Sequence, residues 1–298
     1  MDSDTYSDTD KAVPDGGESG TLRCATFLDK GGVGKTTTTA HLGVAMADQG
    51  YEVLLVDLAG KQGDLAKHFG LWDEIRQREE DWPNVTTVFQ DEWNTIAQKL
   101  PSAVEDLIKP TGEGPDLIPA HESLDGLNDI LSGIDDTADR YSRLDRFLTE
   151  YVDDRYDIVM LDLPGSASNV AYNGLWATRN VLASVRPGPF EAEQAAQLRR
   201  DLVSIRNNQG IDIELTMVIL NEVDERTKVG RQYLAQFKEE YPEAIAPAQI
   251  ISSQDIQNAQ LSGCTLFQLE SPSDTAQRAM AAYEQDAAAL VERMGAHR

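Results

Sequence analysis

The stretch Lys30-Gly31-Gly32-Val33-Gly34-Lys35-Thr36-Thr37 decides the reading of the chain, and it stands between two unlike neighbours. Before it, Leu22 to Leu28 is a short apolar run; after it, Thr38 to Ala47 carries a helical pattern, so the order is strand, glycine loop, helix. Glycines in such a loop let backbone N–H groups turn inward around an anion, and the start of the next helix adds partial positive charge. In the pattern G-x-x-x-x-G-K-[ST] the lysine reaches the β- and γ-phosphates and the hydroxyl ligates Mg²⁺, roles that fall here to Lys35 and Thr36. Gly31, Gly32, Val33, Gly34, Lys35, Thr36 and Thr37 are therefore the expected phosphate cradle. The first glycine of that pattern would fall on Asp29, and a second lysine, Lys30, precedes the paired glycines.

Outward from the loop, Tyr51 to Asp57 and Asp157 to Asp162 read as buried strands that each end in a carboxylate. Val181 to Val185 and Ile213 to Leu220 read as strands, the latter leading into Asn221, and Ala248 to Ile251 as a shorter one that closes the series. Helical patterns run over Arg140–Tyr151, Glu191–Ile205 and Thr275–Met294, the last with Ala276, Met280, Tyr283, Ala287, Leu290 and Val291 on one stripe. The charged stretch from Leu71 to Pro115, with Trp72, Trp82 and Trp93, has no clean period. Strands alternating with helices predict an α/β fold, a doubly wound, mostly parallel sheet with helices on both faces and ligands at the strands' carboxyl ends. Lys35, Asp57, Asp162 and Asn221 then converge on one crevice. Asp162, after four apolar residues, suits a carboxylate that holds Mg²⁺ through water.

Acidic residues outnumber basic ones 51 to 26, for a formal net charge of −25. Residues 1–20 hold six acids and one lysine, so removing them leaves −20 and the body itself is acidic. That segment, almost without apolar residues, is expected to be a disordered tail before a single domain over residues 21–298. Self-repulsion of this size fits a salt-rich cytoplasm, where screening over about 3 Å at 1 M salt removes it. Two cysteines make neither a disulfide framework nor a metal cluster. No apolar run has membrane-spanning length and the beginning is acidic, which predicts a cytoplasmic protein without membrane attachment.

K-G-G-V-G-K-T-T resembles the deviant Walker A loop of the ParA/MinD family, a SIMIBI-type P-loop NTPase family, and the likeness runs from about Leu22 to Met294. The resemblance implies a homodimer closed across two Mg-ATP, with Lys30 crossing to the partner's nucleotide, Lys35 and Asp57 acting beside it, and Thr36, Asp57 and Asp162 serving the metal. It also implies that Pro164-Gly165 is a γ-phosphate-sensing switch and that Asn221, in Leu215 to Thr227, frames adenine. Asn221 to Asp224 has in addition the spacing of the guanine-reading N-K-x-D, with Glu222 in the lysine's place. One departure stands out: the family's second switch aspartate, which orients the attacking water, is Ala59 here, and Gly60-Lys61-Gln62-Gly63-Asp64 follows with one extra residue. Slow hydrolysis is the consequence, unless Gln62 or Asp64 substitutes.

Partition of a plasmid or chromosome is the function implied, with a ParB-like or cargo adaptor protein and non-specific DNA as partners, on the nucleoid. Arg199, Arg206, Arg231 and Lys238 are the candidate phosphate contacts, although an acidic body weakens that reading. The alternative is a MinD-like, ATP-gated positioning or scaffold protein that does not bind DNA. An iron–sulfur carrier lacks its C-x-x-C, and a dethiobiotin- or cobyrinate-type ligase lacks an identifiable substrate segment.

Overall fold

The computed structural model describes residues 20–77, 82–224 and 226–296, so the acidic segment 1–19 lies outside the described residues. Among the described residues, seven strands form one sheet: β1 (Leu22–Thr26), β2 (Val53–Asp57), β3 (Lys109–Pro110), β4 (Asp116–Ile118), β5 (Ile158–Asp162), β6 (Asn180–Val185) and β7 (Glu214–Leu220). Their order is β3-β4-β2-β5-β1-β6-β7, parallel throughout except for the edge pair β3–β4. A parallel sheet has to be covered on both faces, and strand alternation supplies two cores. Cys24, Leu55, Met160, Leu182 and Met217 join one with the helices Lys35–Asp48 and Asp274–Ala296, while Ala25, Leu54, Val159, Val181 and Val218 join the other with Arg143–Tyr151, Asn169–Thr178 and Pro189–Gln209. Each large side chain so buried stabilises the fold by about 1.5–3 kcal/mol.

The chain leaves β1 for β2 on one side and returns from β5 across β1 to β6 on the other. The glycine loop after β1 therefore opens at the point where the winding reverses, the place where such sheets form a crevice.

Several elements differ from the sequence reading, each for a local reason. Ala248 to Ile251 is not a strand: only isolated bridges, Val218 with Ile245 and Val223 with Ile251, reach the sheet, because the Ala248 N–H, between the sheet-bonded N–H groups of Ala246 and Ile250, goes to Asp286 Oδ1 at 2.9 Å. Arg140–Tyr151 is two helices, Thr137–Tyr141 and Arg143–Tyr151, broken at Ser142. The helix Pro189–Gln209 outruns its apolar pattern at both ends, opened by a proline in its first turn and stopped by the left-handed Gly210. On the last helix, Ala279, Ala282, Asp286 and Met294 are buried with the expected Ala276, Tyr283, Ala287 and Leu290, whereas Met280 and Val291 are half-buried. Between residues 71 and 115 the structure holds short helices (Trp72–Arg76, Trp93–Lys99, Ala103–Leu107) and the edge strand β3, all too short to show a period.

Candidate nucleotide-binding site

Parallel register brings the site together. Thr26 of β1 and Asp57 of β2 both pair with Asp162 of β5, so a hydroxyl and two carboxylates stand in a row at the carboxyl ends of three central strands, all buried. Asp57 accepts the N–H groups of Ala59 (3.0 Å) and Leu65 (3.3 Å). Among the described residues, none gives a hydrogen bond to either oxygen of Asp162. Burial first, then the charge of Asp162, raises Asp57 well above the usual carboxylate range. Burial also raises Asp162, while the Thr36 hydroxyl and Lys35 ammonium, near it without closing a bond, pull it back. Two buried carboxylates side by side call for a shared proton or a cation, since a bare buried charge costs several kcal/mol. Hard oxygen donors at the end of a strand beside a threonine suit Mg²⁺, so the residues present fit the metal.

The loop itself is built as an anion cradle. Gly34 caps the helix Lys35–Asp48 in the left-handed region (φ 87°), with no side-chain cap bonded to the helix start and no acid in the first turn, so the helix's own first turn does not neutralise that end. A Cβ on Gly34 would lie 2.0 Å from Asn221 Nδ2, so space as well as dihedral requires glycine there. From beneath, the Val33 carbonyl accepts Ser184 Oγ (3.1 Å) and Asn221 Nδ2 (3.3 Å), and Ser184 Oγ also meets Thr38 Oγ1 at 3.1 Å. Asn221 Oδ1 accepts the Glu222 N–H (2.9 Å). Asn221 is thus placed under the loop as a brace, buried beneath Val33. Ser184 escaped the sequence reading; its only signal is a hydroxyl one residue from the end of an otherwise apolar strand.

Lys35 is nearly buried, and its Nζ donates to the Lys30 carbonyl at 2.6 Å. Burial lowers its pKa, and the charges of Asp162 and Asp29 oppose that. The Lys30 ammonium lies 3.1 Å from Glu191 Oε1 and over the Phe190 ring. Gly165, in the expected switch turn, packs against the Lys30 carbonyl and Lys35 Nζ, each 2.9 Å from where its Cβ would be.

At position 59 the backbone N–H holds Asp57 and the side chain ends in a methyl group. Gln62 is exposed, and Asp64, at the start of the helix Asp64–His68, is exposed and paired with Lys67 at 2.7 Å. The Asp64 charge nevertheless contributes to raising both Asp57 and Asp162, which puts it near the mouth of the carboxylate pair.

The expected DNA contacts are not brought into one strip. Arg206 donates to the Ile213 carbonyl and faces Asp212 and Glu214, and Arg199 stacks over Tyr241. Both line a hollow of about 840 Å³ at the amino end of β7, together with Glu239, Glu240, Glu243 and Arg293. Lys238 borders a different hollow, and exposed Arg231 reaches the Arg226 carbonyl.

A family model described as an AAA domain matches residues 24–216. The chain is similar to the sporulation initiation inhibitor protein Soj of Bacillus subtilis, 30% identical over 217 residues that cover 72% of this chain and 78% of that protein. Among solved structures, it resembles a protein described as cobyrinic acid a,c-diamide synthase from Mycobacterium smegmatis, with bound ATP analog and magnesium (TM-score 0.70, 26% identity, 93% of this chain and 97% of that one). It also shares the fold of McdA from Cyanothece in its ATP complex (TM-score 0.72, 19% identity, 93% and 97% covered).

Proposed function

The chain belongs to the ParA/Soj-type P-loop ATPases, and from that premise we propose that it is a nucleotide-dependent dimeric switch in DNA partition or cargo positioning that binds Mg-ATP and hydrolyses it slowly. The observation that carries this reading is the Asp57–Asp162 pair, with Asp162 free of donors, beside an uncapped helix start and Lys35. Bound magnesium would neutralise part of the triphosphate charge. Backbone N–H groups of Gly31 to Thr37 would hold the phosphates and Lys35 would neutralise them, while Thr36, Asp57 and Asp162 would serve the metal. Lys30 completes the neighbouring protomer's site. Ala59 positions no water and takes no proton, and such a group is worth roughly 10²- to 10⁴-fold in rate.

Sizing the protein with ATP, with ADP and with neither, in high salt, tests the reading: a dimer with ATP alone is expected. A chain that stays single with saturating ATP, or that pairs equally well as Lys30→Ala, would overturn it.

A ParB-like or cargo adaptor is the expected partner, and DNA is a possible track only if the hollow beside Arg206 tolerates phosphate among its glutamates. The enclosure of Arg199 and Arg206 by carboxylates favours the second reading, a positioning or scaffold protein that does not bind DNA. ATP-dependent retention on DNA at high salt decides between them. An amide-forming ligase that draws ammonia from glutamine needs an activated thiol, whereas burial pushes Cys24 up to about 12 and raises Cys264.

A further inference from the structure

We propose that Glu191 is a positioning residue: with Phe190 it latches Lys30 inside its own protomer, and nucleotide binding at Lys35 releases it. The proposal rests on the reading above, in which Lys30 serves the partner's nucleotide. Lys30 is held at both ends. Its ammonium lies 3.1 Å from Glu191 Oε1 and 5.4 Å from the centroid of Phe190, while its carbonyl takes the Lys35 ammonium at 2.6 Å.

The latch is set by local chemistry. Glu191 sits in the first turn of the helix Pro189–Gln209, whose start has no side-chain cap, so its carboxylate is favoured there. It folds back over Gly188, where a Cβ would come within 2.5 Å of Oε2. Phe190, 68% exposed, offers its ring face to the cation rather than to the core. The ion pair is only part-exposed, at 32% and 16% for the two side chains.

Two consequences follow from this geometry. A lysine paired to its own Glu191 cannot at the same time neutralise a phosphate in another protomer, so dimerisation has to break two latches, one from each copy. A triphosphate seated on the loop also competes for Lys35 Nζ, and drawing Lys35 away frees the Lys30 carbonyl, against which Gly165 packs. Nucleotide arrival and lysine release are then one event, and the chain resists pairing until the loop is filled.

The test measures, by sedimentation of the full chain at one fixed salt concentration, the ATP concentration that gives half dimer. Glu191→Gln keeps the shape and removes the charge. An ion pair of this exposure is worth about threefold, so two of them shift the dimer constant by about tenfold toward pairing. Gly188→Ala, whose methyl group crowds the carboxylate out of place without changing its charge, should shift the midpoint in the same direction. ATP affinity measured at protein concentrations too low for pairing should rise by about threefold in both variants, because the latch that nucleotide binding breaks is already gone, and the gap from the unaltered chain should narrow as salt rises. The latch is refuted if the unaltered chain dimerises with ATP but Glu191→Gln does so no more easily; weaker pairing would mean that Glu191 meets the partner's lysine instead. Pairing by Glu191→Gln alone would support the latch, and if neither chain pairs, the dimer reading fails and takes the latch with it.

Discussion

Replacing Asp162 by asparagine should stabilise the protein in the presence of a chelator while destroying its response to Mg-ATP. Burial raises the Asp162 carboxyl from the ordinary 3.8 to about 7, against the pull of Thr36 and Lys35. A folded pKa above the unfolded one means that the folded state holds the proton more tightly, so this group's stability is complete below about pH 4 and is lost as pH rises to about 7. At 1.36 kcal/mol per pH unit, keeping the carboxylate ionised at pH 8 costs the fold about 4 kcal/mol. Asparagine removes that cost but leaves a buried amide without a partner, for about 1–3 kcal/mol. The net gain of about 1–3 kcal/mol corresponds to a rise in melting temperature of roughly 2–10 °C for a domain of this size. By pH 5 the carboxyl in the fold is protonated, the cost falls to about 2 kcal/mol, and the variant's advantage should vanish. Thermal melts of both chains in chelator at pH 5, 6, 7 and 8 read the difference directly, and taking the difference cancels the titrating groups that Asp162 does not touch, leaving Asp57, whose carboxyl the Asp162 charge also raises. With Mg-ATP at about 100 times its dissociation constant the unaltered chain gains about 2.7 kcal/mol and the variant should gain little. An Asp162→Asn chain that melts at or below the unaltered one at pH 8 in chelator, or a gap that does not change with pH, would refute the reasoning.

Ala59→Asp should raise single-turnover ATP hydrolysis by about 10²-fold or more without weakening ATP binding; an unchanged rate would point to Asp64 or to a loop that the extra residue holds too far away. Asn221→Ala removes one hydrogen bond from the Val33 carbonyl, worth about 1 kcal/mol, and should weaken ATP and GTP alike by about fivefold; titrations in which the adenine preference alone changes would assign Asn221 to the base as well. Burial pushes His41 to about 3 and His68 to about 4, so both are neutral in the fold and their contribution is lost as pH falls below about 6.5. His41→Gln should flatten that acid-side loss in denaturant titrations between pH 7 and 4. With a net charge of −25, the melting temperature should climb as salt is raised from about 0.1 to 1 M, where the screening length drops from about 10 to 3 Å.

The strand–loop–helix order around Lys35, the two strands ending in Asp57 and Asp162, and the parallel winding were legible because each depends on a local pattern: apolar runs, glycines and 3.6-residue spacing. The segment 71–115 was not, because helices of five to seven residues complete too few turns to show a face, and Trp93 is buried by Phe147 and Tyr151, which come from elsewhere in the chain. The loss of a strand after Pro247 turns on one hydrogen bond, the Ala248 N–H given to Asp286 of the last helix.

By itself the sequence determined a phosphate-binding loop with two lysines, two strand-end carboxylates and a methyl group where a water-orienting acid would stand, since these are properties of residue types at fixed spacing. Which groups meet was decided only by the tertiary structure. Register set Asp57 against Asp162, packing put Asn221 and Ser184 under Val33, the first turn of a distant helix captured Lys30, and neighbouring glutamates enclosed the arginines that read as a basic strip. The physical reason is that a side chain's pKa, partner and reach depend on what other segments bring within a few ångströms of it, and that information is carried by the pairing of strands and not by any stretch of chain alone.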